Sequence, residues 1–368
     1  MPIYMDRHDV SETVTAIHVA QIHTEDLKIQ HKFDCRGLTY WFDENRKTAF
    51  CLIEAPNKKA IRDMHSQAHG DLPHTIIEVD DKIVESFLGR IEDPHKAQKT
   101  KLNIINDPAF RILMVTGFKR LSLNKSKSQP NNHLLLKHNK SILKIINRFN
   151  GRVVKQGSDC FLVSFESVTK AVLCAMKMNL KFKELTNEIR ESKIELKIGL
   201  SAGAPVTGKG EIFEDIIKLA ERLCNIAEGQ IAVSPEVKDL YESENLNVFL
   251  DKEFINALNP SEEKFLNHLM DYTEKTWSNT ELKVDDFSIN LGLSKSQLYR
   301  KMISLTGKSL NTFIKEYRLK KALILLNKKM DNISQIAFDT GFNSPAYFSK
   351  CFQETYGIPP SNYIKQHI

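Results

Sequence analysis

Residues 291–326 read LGLSKSQLYRKMISLTGKSLNTFIKEYRLKKALILL, and residues 333–363 read ISQIAFDTGFNSPAYFSKCFQETYGIPPSNY. Both stretches follow one plan. In the first, Val284–Asn290 is a short helix ending at Leu291-Gly292-Leu293, and Ser294 caps a second helix over Lys295–Leu305. An N-cap serine accepts from the unpaired amides of the first turn, and Gly292 suits the positive φ of a tight turn. In the second, Ile333–Thr340 runs into Gly341-Phe342-Asn343, and a helix starts at Ser344-Pro345. Proline at the first helical position costs no hydrogen bond. Between them Thr312–Asn327 reads as one long amphipathic helix carrying Arg318, Lys320 and Lys321. The pattern is two helix-turn-helix units bridged by a helix, with no strand from about residue 260 onward.

Residues 265–368, through these two stretches and the closing Gly357-Ile358-Pro359-Pro360, resemble the AraC/XylS family of transcription regulators. The family often has Arg after the final tyrosine, where Ile364 stands here. The resemblance implies two recognition helices entering adjacent major grooves, with base edges read near their N-terminal ends. Candidate contacts are Lys295, Ser296 and Arg300 in the first, and Asn343, Ser344, Ala346, Tyr347 and Lys350 in the second. Helical spacing turns Tyr299 outward with Lys295, Ser296 and Arg300, yet Tyr299, Phe348 and Phe352 are expected to be core rather than base contacts. Residues 261–368 hold 15 Lys/Arg against 11 Asp/Glu, so the region is only moderately basic and base contacts must add to the phosphate attraction.

Upstream, the 368-residue chain has room for two further domains. No run approaches the ~20 apolar residues of a membrane span, and MPIYMDRHDV lacks a basic segment followed by an apolar one. Six cysteines are scattered without a CxxC pair, which fits a reduced, cytoplasmic setting. The expected organisation is an α+β ferredoxin-like domain at 1–80, a polar connector at 81–109, an α/β domain at 110–255 and the all-α domain at 260–368.

Seven of the twelve histidines lie in the first eighty residues. There the pattern gives strand, helix, strand, strand, helix, strand, with a hairpin turn at Asp43–Arg46. His65 and His69 are four apart on the second helix and can face one way toward a metal, a spacing that equally suits a solvated surface. The pair is expected near an exposed helix end. The stretches MPIYMDRHDV, AQIHTEDL and YWFDENRKTAFCLIEAPNKKAIRDMHSQAHG resemble a small nickel-binding, ferredoxin-like family that forms dimers. That resemblance implies nickel or another divalent transition metal, with His8, His23, His65 and His69 as candidate ligands. Cys51 is a less favoured ligand, because FCLIEAP reads as a buried strand.

Residues 111–250, through GRVVKQGSDCFLVSFES, IGLSAGAPV and DIIKLAERLCNIAEGQIAVSPEV, resemble class III nucleotidyl cyclase domains. Such enzymes hold two metals on two carboxylates, and an Asn and Arg stabilise the transition state. Here Gly117 stands where the first metal-binding Asp belongs, and Lys218 where the Asn belongs. Lys155, Asp159 and Arg222 keep the matching types, a vestigial nucleotide site. With one carboxylate the two-metal site cannot form, so no cyclase activity is expected.

The sequence therefore reads as a DNA-binding transcription regulator of AraC type, a homodimer responding to a metal or small ligand, with duplex DNA and RNA polymerase as partners and no membrane association. The alternatives are a nucleotide cyclase with a DNA-binding output, and a metal store fused to a DNA-binding module.

Overall fold

The computed structural model describes residues 1–94, 102–120, 129–157, 160–187, 194–208, 210–246, 248, 250–328 and 332–367. Within them the fold is multidomain: two separate sheets and a helical carboxy-terminal region. The first sheet has the expected element order. Strands β1 (Ile3–Asp9), β2 (Arg36–Asp43), β3 (Thr48–Glu54) and β4 (Thr75–Val79) lie in the order β2-β3-β1-β4, all antiparallel. Helices α1 (Ala16–Ile29) and α2 (Lys58–Ala68) cover one face. Alternation along each strand sends Tyr4, Tyr40, Ile53 and Ile76 under these helices and Met5, Trp41, Phe50, Leu52 and Ile77 to the other face.

That other face is not left to solvent. The stretch expected to be a polar connector begins with α3 (Asp81–Leu88), capped by the Asp80 carboxylate and closed at Gly89. Val84, Phe87 and Leu88 recur at helical spacing, and α3 lays them on the open face. Leu113, Val206, Ile212 and Phe213 of the middle region complete the same core. Buried Arg111 fixes the junction: its guanidinium donates to the carbonyls of Phe87, Leu88, Pro108 and Phe110.

The middle region is a six-stranded sheet ordered β10-β9-β8-β5-β7-β6. Its strands are β5 (Arg111–Arg120), β6 (Arg152–Gln156), β7 (Phe161–Phe165), β8 (Ile194–Gly203), β9 (Ile231–Val233) and β10 (Ile255–Ala257). Only β9 pairs in parallel, with β8 and β10; the other pairs are antiparallel. Helices α4 (Gln129–Arg148), α5 (Val168–Asn187) and α7 (Pro235–Glu244) pack on one face, and α6 (Glu214–Ile226) on the other. The sequence reading stopped this region at residue 255 and gave neither α7 nor β10. Three residues are too short for a periodic signal, yet β10 pairs with β9 through Ala257.

The carboxy-terminal region is α8 (Pro260–Thr276), α9 (Val284–Leu291), α10 (Lys295–Thr306), α11 (Leu310–Asn327), α12 (Ile333–Asp339), α13 (Pro345–Tyr356) and α14 (Pro360–His367). It has two cores joined by α11, whose Leu310 and Ile314 enter the first and whose Leu319, Ala322 and Leu326 enter the second. The first core also takes Leu223, Ile226, Ala227, Ala232 and Leu258 from the middle region. The region from residue 260 is thus not separately sealed, because α8 shares its apolar face with α6.

Helix α6 approaches β8 closely at Gly199, where an added Cβ would lie 2.3 Å from both the Ala220 carbonyl oxygen and the Cys224 nitrogen. Those are backbone atoms, so the helix itself must move. Gly199→Ala is expected to destabilise the chain by about 1–3 kcal/mol, the range for overpacking a core, with a lowered thermal midpoint. An unchanged midpoint would show that α6 is not held this tightly.

Candidate nucleic-acid interface and metal centre

In the first helix-turn-helix unit Gly292 closes α9 with φ +63°. Ser294 then starts α10: its hydroxyl accepts from the Gln297 amide at 3.2 Å, and the Gln297 side chain accepts from the Ser294 amide at 2.9 Å. This fixes which side of α10 faces inward. Leu298, Met302 and Leu305 are buried, while Lys295, Ser296, Tyr299 and Arg300 are exposed. Tyr299 was assigned to the core; it is 58% exposed, because position 299 follows Leu298 onto the outer face. Lys295 is paired with Asp285 of α9 at 2.5 Å.

The second unit repeats the design. Ser344 caps α13, accepting from the Tyr347 amide at 3.4 Å, with Pro345 at the first helical position. Phe348, Cys351 and Phe352 are buried, and Asn343, Ala346, Tyr347 and Lys350 are exposed. Ser344 is half-buried in its capping role. One residue that sequence reasoning left as a generic cation links the units. Arg318, midway along α11, donates from Nε and Nη2 to the Trp277 and Asn279 carbonyls, each at 2.7 Å. Gly341, at φ +80°, lies so near that a Cβ would meet both the Arg318 Nε and the Trp277 oxygen at 2.7 Å.

In the amino-terminal domain the expectation of an exposed histidine pair is corrected. His65 is buried, since Ile61, Met64 and His65 share the face of α2 that lies on the sheet. Its Nε2 sits 2.9 Å from Asp6 Oδ2 and its Nδ1 3.0 Å from Asp26 Oδ1. His69 Nε2 lies 3.1 Å from His65 Nδ1 and 3.2 Å from Asp26 Oδ1. Burial would lower the His65 pKa, but the hydrogen bonds to Asp26 and Asp6 push it up to about 10. Burial opposes the Asp6 charge, and the His8 and His65 imidazoles hold its carboxyl well below the usual range. Asp26 is likewise lowered against burial by His65 and His69.

Among the described residues two groups of donors lie within metal-sharing distance: Asp26, His65 and His69, and next to them Asp6, His8 and Cys51, the ligand atoms of each group within 4.8 Å of one another. His8 Nε2 is buried and lies 3.4 Å from Asp6 Oδ1, without a well-aligned hydrogen bond. His23 is buried against Tyr40, with ring centroids 4.9 Å apart, and is in neither group. Its imidazole is pushed down by burial. Asp6 and Asp26 are not among the candidates the sequence offers, and Cys51 is the less favoured one there. Asp6 and His8 are two apart on one strand and so share a face, a signal that was legible. Asp6 and Cys51 face each other across β1 and β3, which only the register reveals. Other histidines serve the backbone: His18 Nδ1 accepts from the Thr15 amide and His74 Nδ1 from the Asp9 amide.

In the middle domain Gly117 lies on β5 against Cys224 of α6, and Lys155 is exposed on β6. Asp159 lies outside the described residues. Arg222 is buried against α8. Nη1 donates to Asn267 Oδ1 at 2.7 Å, and Nη2 reaches Asp271 at 2.5 Å and Glu274 at 3.4 Å, all on α8. Lys218 pairs with the same two carboxylates, at 3.1 and 3.7 Å. The physical reason is that α8 packs along the outer face of α6, so side chains at positions 218 and 222, one turn apart, meet its acidic edge.

Three segments match family models: residues 288–366 a helix-turn-helix domain, residues 4–79 the nickel responsive protein SCO4226-like family, and residues 112–257 the adenylate and guanylate cyclase catalytic domain. Among curated relatives, the chain is 39% identical over 127 residues to histidine kinase P4 of Formosa agariphila, covering 32% of this chain and 9% of that protein. It is 31% identical over 120 residues to the HTH-type transcriptional regulator MtrA of Neisseria gonorrhoeae, covering 32% and 38%. The chain thus spans well under half the length of these relatives. Among solved structures, the guanylyl cyclase Cya2 aligns with TM-score 0.31 and 16% identity over 36% of this chain and 77% of that one. SCO4226 from Streptomyces coelicolor aligns with TM-score 0.20 and 28% identity over 21% and 94%.

The His65 pKa sets a pH dependence for the metal-free protein. Its folded value, about 10, lies above the ordinary 6.5. The stability it contributes is therefore complete below pH 6.5 and is lost as pH rises toward 10, by up to about 1.4 kcal/mol per unit. Urea unfolding in chelator is expected to show a midpoint falling from pH 7 to 9 that flattens in His65→Gln. Parallel slopes in the two proteins would contradict the ion triad.

Proposed function

We propose that this chain is a sequence-specific DNA-binding transcription regulator whose two helix-turn-helix units read adjacent major-groove segments. The observation that carries the reading is the paired set of exposed recognition faces, Lys295, Ser296 and Arg300 on α10 and Asn343, Ala346, Tyr347 and Lys350 on α13, held by one helix that enters both cores. Ser344 orients the second set as a cap. Lys295 exchanges Asp285 for the nucleic acid on binding. Exposed cations supply the phosphate attraction and bidentate side chains the base discrimination.

The amino-terminal cluster is the proposed effector site. Imidazole, carboxylate and thiol donors suit a borderline divalent ion such as nickel, and the buried His8 Nε2 has only Asp6 Oδ1 at 3.4 Å beside it. His65, His69 and Asp26 would hold the ion, with Asp6, His8 and Cys51 as the adjoining donors. A bound ion supplies positive charge where the His65 imidazolium supplies it now, so the buried carboxylates keep a counter-charge in both states. His65 must give up its proton to become a ligand.

The middle domain is proposed as a scaffold without cyclase activity. Gly117 brings no carboxylate, and Lys218 and Arg222 are committed to α8. An assay with ATP or GTP and Mn²⁺ is expected to yield no cyclic nucleotide. The chain is proposed to pair with a second copy through surfaces left free by its own contacts, since the open face of the first sheet is covered within the chain.

Selection from random duplexes with the full chain is expected to return a defined site. Arg300→Ala and Lys350→Ala should each weaken binding to it by ~1–3 kcal/mol if they read bases, and less if they hold phosphates. Both residues are exposed, so the fold should survive; unchanged affinity for both at fixed salt would sink the geometry. Adding nickel to metal-free protein near pH 8 is expected to release a proton that His65→Gln does not release. Nickel uptake without proton release would remove His65 from the ligand set.

A further inference from the structure

A cleft of about 290 Å³ lies between the two helix-turn-helix units. One wall comes from the α8–α9 loop, α9 and the first half of α11, and the other from Gly341, Phe342, Asn343 and Tyr347. Its volume is close to the roughly 300 Å³ at which small-molecule sites begin. The surface is of two kinds. Leu282, Val284 and the Tyr347 ring, none of them buried, supply the apolar surface, and Lys283, Lys315 and Arg318 supply positive charge. Among the described residues that line it there is no carboxylate. Of the acids adjacent in sequence, Asp285 pairs with Lys295, Glu316 pairs with Lys308, and Asp286 accepts from the Lys283 amide. Arg318 is fixed by its two carbonyl partners and cannot fold away.

We infer that this cleft binds a small organic anion, an acidic head group on an apolar body of one or two rings, and that its occupation opposes DNA binding. Three cations without a counter-carboxylate favour a negative ligand. The apolar wall favours a ligand larger than an inorganic ion. The site is independent of DNA recognition, whereas its effect on DNA rests on the function proposed above. Asn343 and Tyr347 belong both to the cleft wall and to the proposed reading face of α13. An occupant bearing negative charge there covers those side chains and repels the phosphates. By linkage, DNA weakens the anion as much as the anion weakens DNA.

The test is calorimetric titration of the full chain with 2-naphthoate and with its neutral amide. Saturable one-to-one binding of naphthoate is expected, at least tenfold tighter than the amide, and at least tenfold weakened in Lys283→Gln/Lys315→Gln. Neither lysine is buried, and the variant's thermal unfolding should match that of the parent. No binding of naphthoate, equal binding of the amide, or full affinity in the folded variant would each overturn the site. In a second arm, saturating naphthoate should lower affinity for the selected duplex at least fivefold in the parent and not in the variant. Naphthoate binding with unchanged DNA affinity would keep the site and overturn the competition. Should the chain bind no duplex at all, the calorimetric arm still decides the site.

Discussion

The structure depends on burying both sides of a single helix, Glu214–Ile226. Its inner side rests on β5 and β8, where Gly199 lets the backbones touch and Ala220 and Cys224 pack on Val115. Its outer side gives Leu223 and Ile226 to the core that Phe265, Leu266 and Leu269 build from α8. Burying a leucine-sized side chain is worth about 1.5–3 kcal/mol. The shared core therefore outweighs the partly exposed Lys218 pairs beside it, which belong to the class worth roughly 0–1 kcal/mol. Arg222 is different. It is buried, and leaving its guanidinium without Asn267 and Asp271 would cost more than the pair contributes.

The same logic runs through the amino-terminal half. The open face of the first sheet, with Trp41 and Phe50 fully buried, would be a large apolar patch if α3 and the middle domain did not cover it. On the opposite face two carboxylates share one imidazole. Asp6 and Asp26 are buried, so a cation between them is required, and His65 supplies it. The proposed divalent ion would take over the electrostatic duty that the His65 proton serves.

Much of this was legible in the sequence. Periodicity and glycine placement gave both helix-turn-helix units, because each turn needs a positive φ and each recognition helix a polar cap. Strand alternation likewise gave the first sheet's element order. What failed did so for reasons of tertiary contact. Tyr299 was drawn inward by its aromatic character, although Leu298 beside it fills that role. His65 was drawn outward because histidine is polar, and its carboxylate partners are 59 and 39 residues away in sequence. Arg222 keeps a cyclase-like residue type but is held by α8, and nothing local to position 222 could announce that partner. Short β10 and the shared α6–α8 core were hidden for the same reason.

The central claim is that two recognition helices, fixed by α11 and Arg318, enter neighbouring major-groove segments of one duplex. Guanine-N7 methylation interference with the full chain on its selected site measures this directly. Two separate patches of interference are expected, about one helical turn, 10–10.5 base pairs, apart on the same side of the duplex. A single patch, or protection with no dependence on sequence, would contradict it.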